Sequence, residues 1–208
     1  MKDGFLKAAA AAPKIRVADP AWNALEICKA LDSCYAQRAK LIVLPELCLT
    51  GYTCQDLFLQ ETLLRGAEQA LFNVLKATED KQMLVAVGLP LIHAGKLYNC
   101  AAILFKGKIL GFVPKQNIPN YSEFYEARHF TPWQGENDTV CVRGAHYPIG
   151  AKQLFSCPSI KGFTVAYEIC EDAWMPLSPS EYHALAGATI ICNLSASDEV
   201  VGKADYRR

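Results

Sequence analysis

Three side chains able to do chemistry stand where an apolar run gives way to a loop: Glu46 after LIVLP, Lys115 after GFVP and Cys170 after FTVAYEI. In layered α/β proteins the strand ends are where side chains converge on a ligand. An acid, a base and a thiol arriving by the same route are a set from which nucleophilic and acid–base catalysis can be built. Taken singly they carry little. A free cysteine is more often a small buried hydrophobe, and a glutamate or lysine at a loop entrance is more often solvated. The three lie far apart in sequence and define no local motif.

Other chemistries fit less well. His93, His129, His146 and His183 are scattered singly and the nine cysteines include no C-x-x-C, so no metal site is expected. Neither G-x-G-x-x-G nor G-x-x-x-x-G-K-[ST] occurs among the 13 glycines, which argues against a nucleotide-binding module. No histidine sits in the context that a papain-like cysteine would need. Lys plus Arg and Asp plus Glu are 21 each, giving no electrostatic footprint for nucleic acid or anionic lipid. No apolar run approaches the ~20 residues of a membrane helix. An odd number of cysteines in a chain of this size reads as free thiols in a reducing compartment, hence a cytoplasmic protein. The opening MKDGFLKAAAAAP superficially resembles a signal peptide, but Lys7 splits the apolar stretch.

The elements that must position these residues follow from pattern. With 208 residues, 51% hydrophobic and 20% charged, one domain with a sizeable core is expected. Apolar runs at 41–47, 83–92, 98–105, 108–113, 163–169 and 188–194 predict strands covered on both faces, and residues 5–12 a first strand despite their alanines. Lys106-Gly107-Lys108 predicts a hairpin turn. Asp19-Pro20 predicts a helix start, with Leu25, Cys28, Leu31 and Tyr35 on one face. A second helix is expected from about Asp56 through Val74, and Ser178-Pro179-Ser180-Glu181 reads as a capping box opening a third. Residues 114–158, poor in regular pattern but rich in aromatics, are expected to wall a site, with Trp133, Trp174 and the remaining cysteines in the core. Strands and helices in this order make an α/β layered fold.

The segments LPELCLTGYTCQDLF, VPKQNIPNYSEFYEARHF and YEICEDAW strongly resemble the Glu, Lys and Cys motifs of the nitrilase superfamily. More closely, with NLSASDEVVGKADYRR, they resemble the N-terminal glutaminase domain of glutamine-dependent NAD synthetases. The resemblance implies an αββα four-layer sandwich, with Glu46 as general base, Lys115 as oxyanion donor and Cys170 as nucleophile. Glu126 becomes the supporting second glutamate, the alternative being a structural partner of Arg128. Tyr52, Tyr121, Phe124, Glu171, Ser197 and Lys203 become wall or contact positions for L-glutamine. The reaction itself would need no cofactor; ATP and Mg would serve only a C-terminal synthetase domain that takes up the ammonia. Another small amide as substrate stays open on the triad alone. The resemblance also leads us to expect residues 1–208 to form a C-terminally truncated domain, less stable than a longer polypeptide, prone to homo-oligomerise and weak in activity.

Overall fold

A computed structural model describes residues 5–206. The chain runs β1 (Ala8–Ala10), α1 (Pro20–Ala36), β2 (Leu41–Val43), α2 (Glu61–Ala77), β3 (Leu84–His93), β4 (Lys96–Phe105), β5 (Lys108–Pro114), β6 (Asp138–Val142) and β7 (Ala145–Ile149). It continues through β8 (Phe155–Ser156), β9 (Thr164–Ile169), α3 (Pro179–Leu185), β10 (Ile190–Leu194) and a last helical turn, α4 (Lys203–Tyr206). Among the described residues the strands form a seven-stranded sheet, β1-β2-β3-β4-β5-β7-β6, and a three-stranded sheet, β10-β9-β8.

The sheets pack face to face because the central strands of the larger one, β2 to β5, are apolar on both sides. Leu41, Leu84, Ala86, Ala101, Ile103 and Val113 meet Val165, Tyr167, Ile169 and Leu194 of the smaller sheet. On the opposite face Ile42, Val85, Val87 and Leu104 pack under Ile27 and Leu31 of α1 and Leu71 and Val74 of α2. Fully burying each such side chain stabilises by about 1.5–3 kcal/mol. The smaller sheet carries α3 on its outer face, where Glu168 of β9 accepts the Ser180 backbone N–H at 3.1 Å.

Several expectations are corrected in detail. Asp19 does cap α1, accepting the Trp22 N–H at 3.1 Å, but the buried stripe is Asn23, Ala24, Ile27 and Leu31, and Leu25 points to solvent. The second helix begins at Glu61, because residues 55–59 form a separate 3₁₀ turn and Gln60 is extended. Ser178 makes no side-chain cap to α3; its hydroxyl pairs with that of Ser180. Trp174 is 62% exposed and stacks on Tyr206, and Cys141 is exposed too, so neither belongs to the core. The stretch 114–158 divides: its first part lines the candidate site, and its second contains the β6–β7 hairpin. That hairpin, like β3–β4 and β4–β5, closes through a two-residue turn with positive φ at both positions: Ala94-Gly95, Lys106-Gly107 and Arg143-Gly144. This geometry matches strand twist and favours glycine at the second position.

Strand direction brings the critical ends together. β2 and β3 are parallel, and β5 returns to the same direction through two antiparallel pairings, so the chain leaves β2 and β5 at one end of the sheet. The loop after β2 then crosses β3 closely, with the Leu49 N–H on the Gly88 carbonyl at 3.1 Å. A Cβ on Gly88 would lie 2.3 Å from Leu47 N and 2.6 Å from the Pro45 oxygen. Gly88→Ala must therefore push the Glu46 loop off the sheet. We expect a loss of about 1–3 kcal/mol, the usual cost of overpacking, together with reduced activity; denaturant melts and steady-state kinetics measure both.

Candidate active site

Glu46, Lys115 and Cys170 meet at that end of the sandwich. Glu46 sits in the turn after β2, Lys115 directly follows β5 with its N–H on the Asn99 carbonyl at 2.8 Å, and Cys170 follows β9. Lys115 Nζ lies 2.7 Å from Glu46 Oε1, and 2.7 and 2.9 Å from the two oxygens of Glu126. The Glu46 and Lys115 side chains are fully buried and Glu126 nearly so. Glu126 is thus a partner of Lys115. The alternative partner, Arg128, instead makes a bidentate pair with Asp56 at 2.6 and 2.8 Å.

Neighbours divide the two oxygens of Glu46. Oε1 takes Lys115 Nζ and the amide of Asn99, at 2.6 Å, whereas Oε2 takes the Ala196 backbone N–H at 3.2 Å. Burial raises the Glu46 pKa, Lys115 pulls it down and Glu126 pushes it up, with a net upward shift. Burial works against the Lys115 ammonium, but Glu46 and Glu126 outweigh it and its pKa rises. Burial, reinforced by the Glu46 charge, pushes the Cys170 thiol up to about 12, against the opposing pull of Lys115 and the Ala196 N–H. The resting sulfur is therefore protonated, and attack requires a base beside it.

The expected wall residues fall into one cluster and one tail. Tyr52 donates its hydroxyl to Glu126 Oε1 at 2.7 Å; burial holds the phenol neutral by raising its pKa. Its ring meets Phe124 edge-on at 6.5 Å, Phe124 meets Tyr121 at 5.7 Å, and Tyr121 donates to both oxygens of Glu171 at 3.0 Å. Ser197 is exposed just past Ala196, and Lys203 pairs with Asp198 within the same tail.

Sequence reasoning missed three supports. Asn99 orients Glu46 as described. Buried Asp172 accepts the Ile169 N–H at 3.0 Å and the backbone and side-chain amides of Asn117 at 2.8 and 2.9 Å, tying the turn at Cys170 to the segment after Lys115. Burial raises the Asp172 pKa, while those hydrogen bonds oppose it. Asn193 binds the backbone of Cys170 itself. Asp172 and Asn193 lie inside segments that carry the resemblance, YEICEDAW and NLSASDEVVGKADYRR, whereas Asn99 has no local signature.

Two face-packed sheets with helices outside, and a buried glutamate–lysine pair brought to a cysteine at a strand end, define a layered hydrolase of the nitrilase type. The chain belongs to the carbon-nitrogen hydrolase family, which it matches over residues 7–206. It is 40% identical over 205 residues to a glutamine-dependent NAD(+) synthetase of Mycobacterium tuberculosis, covering 99% of this chain and 30% of that protein. The crystal structure of a glutamine-dependent NAD(+) synthetase from Cytophaga hutchinsonii superposes with a TM-score of 0.85 at 32% identity, over 97% of this chain and 32% of that one. An amidase from Nesterenkonia shares the fold at 17% identity with a TM-score of 0.73, over 98% of this chain and 70% of that one. The chain thus spans about 30% of the length of the curated relative it matches at 40% identity. Among the described residues, no helix is long and apolar enough to cross a membrane.

Proposed function

We propose that residues 1–208 act as the glutaminase domain of a glutamine-dependent NAD synthetase, hydrolysing the side-chain amide of L-glutamine to glutamate and ammonia. The observation that carries this reading is the buried Lys115, clasped by Glu46 and Glu126 at the strand end shared with Cys170. Glu46 accepts the thiol proton as the sulfur attacks the amide carbon, and Oε2 is the better placed oxygen because Oε1 already holds two donors. Lys115 and the Glu171 backbone N–H stabilise the oxyanion. Glu46 then returns the proton to the departing nitrogen, ammonia leaves and a thioester remains. Water, deprotonated by Glu46, attacks the thioester; glutamate is released and the proton returns to the sulfur. Every proton is accounted for without a cofactor.

Glu171, already bonded to Tyr121, is suited to the substrate ammonium, with Tyr52 and Phe124 as apolar walls; Ser197 and Lys203 lie on the segment that would close over the substrate. The ammonia serves amidation of nicotinic acid adenine dinucleotide in a synthetase domain, where ATP and Mg act. A cytoplasmic homo-oligomer suits nine free thiols and that role. The test is ammonia release by the intact protein from L-glutamine against a panel of simple amides. Selective glutamine turnover is expected. Preference for another amide would move the protein to the general amidases, and binding without hydrolysis would overturn the enzyme reading.

A further inference from the structure

Cys170 adopts φ +47°, the left-handed region that costs a side-chain-bearing residue of order 1–3 kcal/mol unless its surroundings hold it there. Asn193 provides such a hold. Its Oδ1 accepts the Cys170 N–H at 3.1 Å and its Nδ2 donates to the Cys170 carbonyl at 3.2 Å. One amide therefore grips both polar atoms of the nucleophile's backbone. Glu168, opposite Asn193 in the β9–β10 register, fixes which way that amide faces. Glu168 Oε1 accepts Nδ2 at 3.2 Å, and the Ser195 hydroxyl donates to Oδ1 at 2.5 Å. A flipped amide would set donor against donor at Cys170 and acceptor against acceptor at Glu168. Glu168 is 4% exposed, and the hydrolytic steps do not use it.

We propose that Asn193, oriented by Glu168, is a positioning residue that holds Cys170 in its left-handed turn and aims the sulfur at the face shared with Glu46. The proposal rests on the reading of Cys170 as nucleophile. It has a further consequence for the oxyanion: the Cys170 N–H is already engaged, which leaves Lys115 and the Glu171 N–H as donors.

The test compares Asn193→Leu and Glu168→Gln in the intact protein by three measurements: the rate at which iodoacetamide labels Cys170, followed by peptide mass spectrometry; kcat and KM for L-glutamine; and the backbone at residue 170 in a crystal structure. Asn193→Leu should slow labelling and lower kcat about 100-fold, the scale of a ~1 Å misplacement. KM should stay within about twofold, because ground-state binding is untouched. Glu168→Gln should show a smaller loss of the same kind, and it carries the test if Asn193→Leu fails to fold. A residue that merely packs would lower the melting temperature while leaving labelling of the folded protein unchanged. Wild-type labelling and kcat in either folded variant, or an unaltered positive φ at residue 170 without Asn193, would overturn the proposal. If the parent protein labels at Cys170 yet leaves L-glutamine intact, the substrate reading fails while the labelling comparison still decides the role of Asn193.

Discussion

Cys170→Ala is expected to abolish turnover, lowering kcat by at least ~10⁴-fold, as loss of the attacking atom does in enzymes whose catalytic groups act as a unit. The fold should barely register the change. Cys170 lies at the rim of the inter-sheet core, 6% exposed, and alanine removes only its sulfur atom. Cys100→Ala, in the middle of β4 and fully buried, should do the reverse, costing stability through a small cavity while sparing the chemistry. Mass spectrometry after treatment with a glutamine-shaped electrophile distinguishes the two: the adduct should sit on Cys170 and persist in Cys100→Ala. An adduct on another cysteine would sink the assignment.

Lys115→Met should damage both rate and stability. The lysine is the cation between two buried carboxylates, so its loss leaves Glu46 and Glu126 facing each other out of water. Breaking a buried pair in this way costs about 3–5 kcal/mol, and removing an oxyanion donor costs ~100-fold or more in kcat. Glu46→Gln separates the two effects. It keeps the shape and the acceptor that Asn99 and Lys115 use and loses only the Ala196 N–H bond on the other oxygen, so melting should fall less than in Lys115→Met while kcat still falls at least ~100-fold. The pH profile gives a second signature. A carboxylate can act as a base only when ionised, and the Glu46 pKa is shifted upward, so in the proposed mechanism kcat/KM of the parent should rise with pH through a limb lying above the usual ~4.3 of glutamate. That limb should be missing from whatever activity Glu46→Gln retains. Near-normal kcat in either variant would refute the assigned roles.

The meeting of Glu46, Lys115 and Cys170 at one end of the sandwich was more legible than the residues that support it. Each follows an apolar run that reads as buried strand, but only the resemblance of the surrounding segments set these three apart from other glutamates, lysines and cysteines. Asn99 carried no such mark, because one asparagine in a strand has the same local appearance whether its amide meets solvent or a buried carboxylate. The β6–β7 hairpin escaped because its alternating DTVCV and AHYPI are short and partly exposed, although Arg143-Gly144 supplied the same turn chemistry as Lys106-Gly107. The α1 stripe was misread by a rotation: Leu25 is apolar but faces water, while the polar Asn23 is buried because its amide bonds the Arg16 and Leu49 carbonyls at 2.8 and 3.1 Å. Trp174 followed the tendency of large aromatics to be buried, which its position on the turn after Cys170 overrode.

The hydrogen bonds that close the site join residues very distant in sequence: Lys115 to Glu46 across 69 positions, and Ala196 to Glu46 across 150. Such contacts yield their free energy only after long loops have closed, whereas the hairpins of the large sheet form locally. During refolding, the sheet's own spectroscopic signals should therefore recover first. Catalysis should return only with the step that docks the small sheet, so an activity assay on this protein reports the end of folding rather than its beginning.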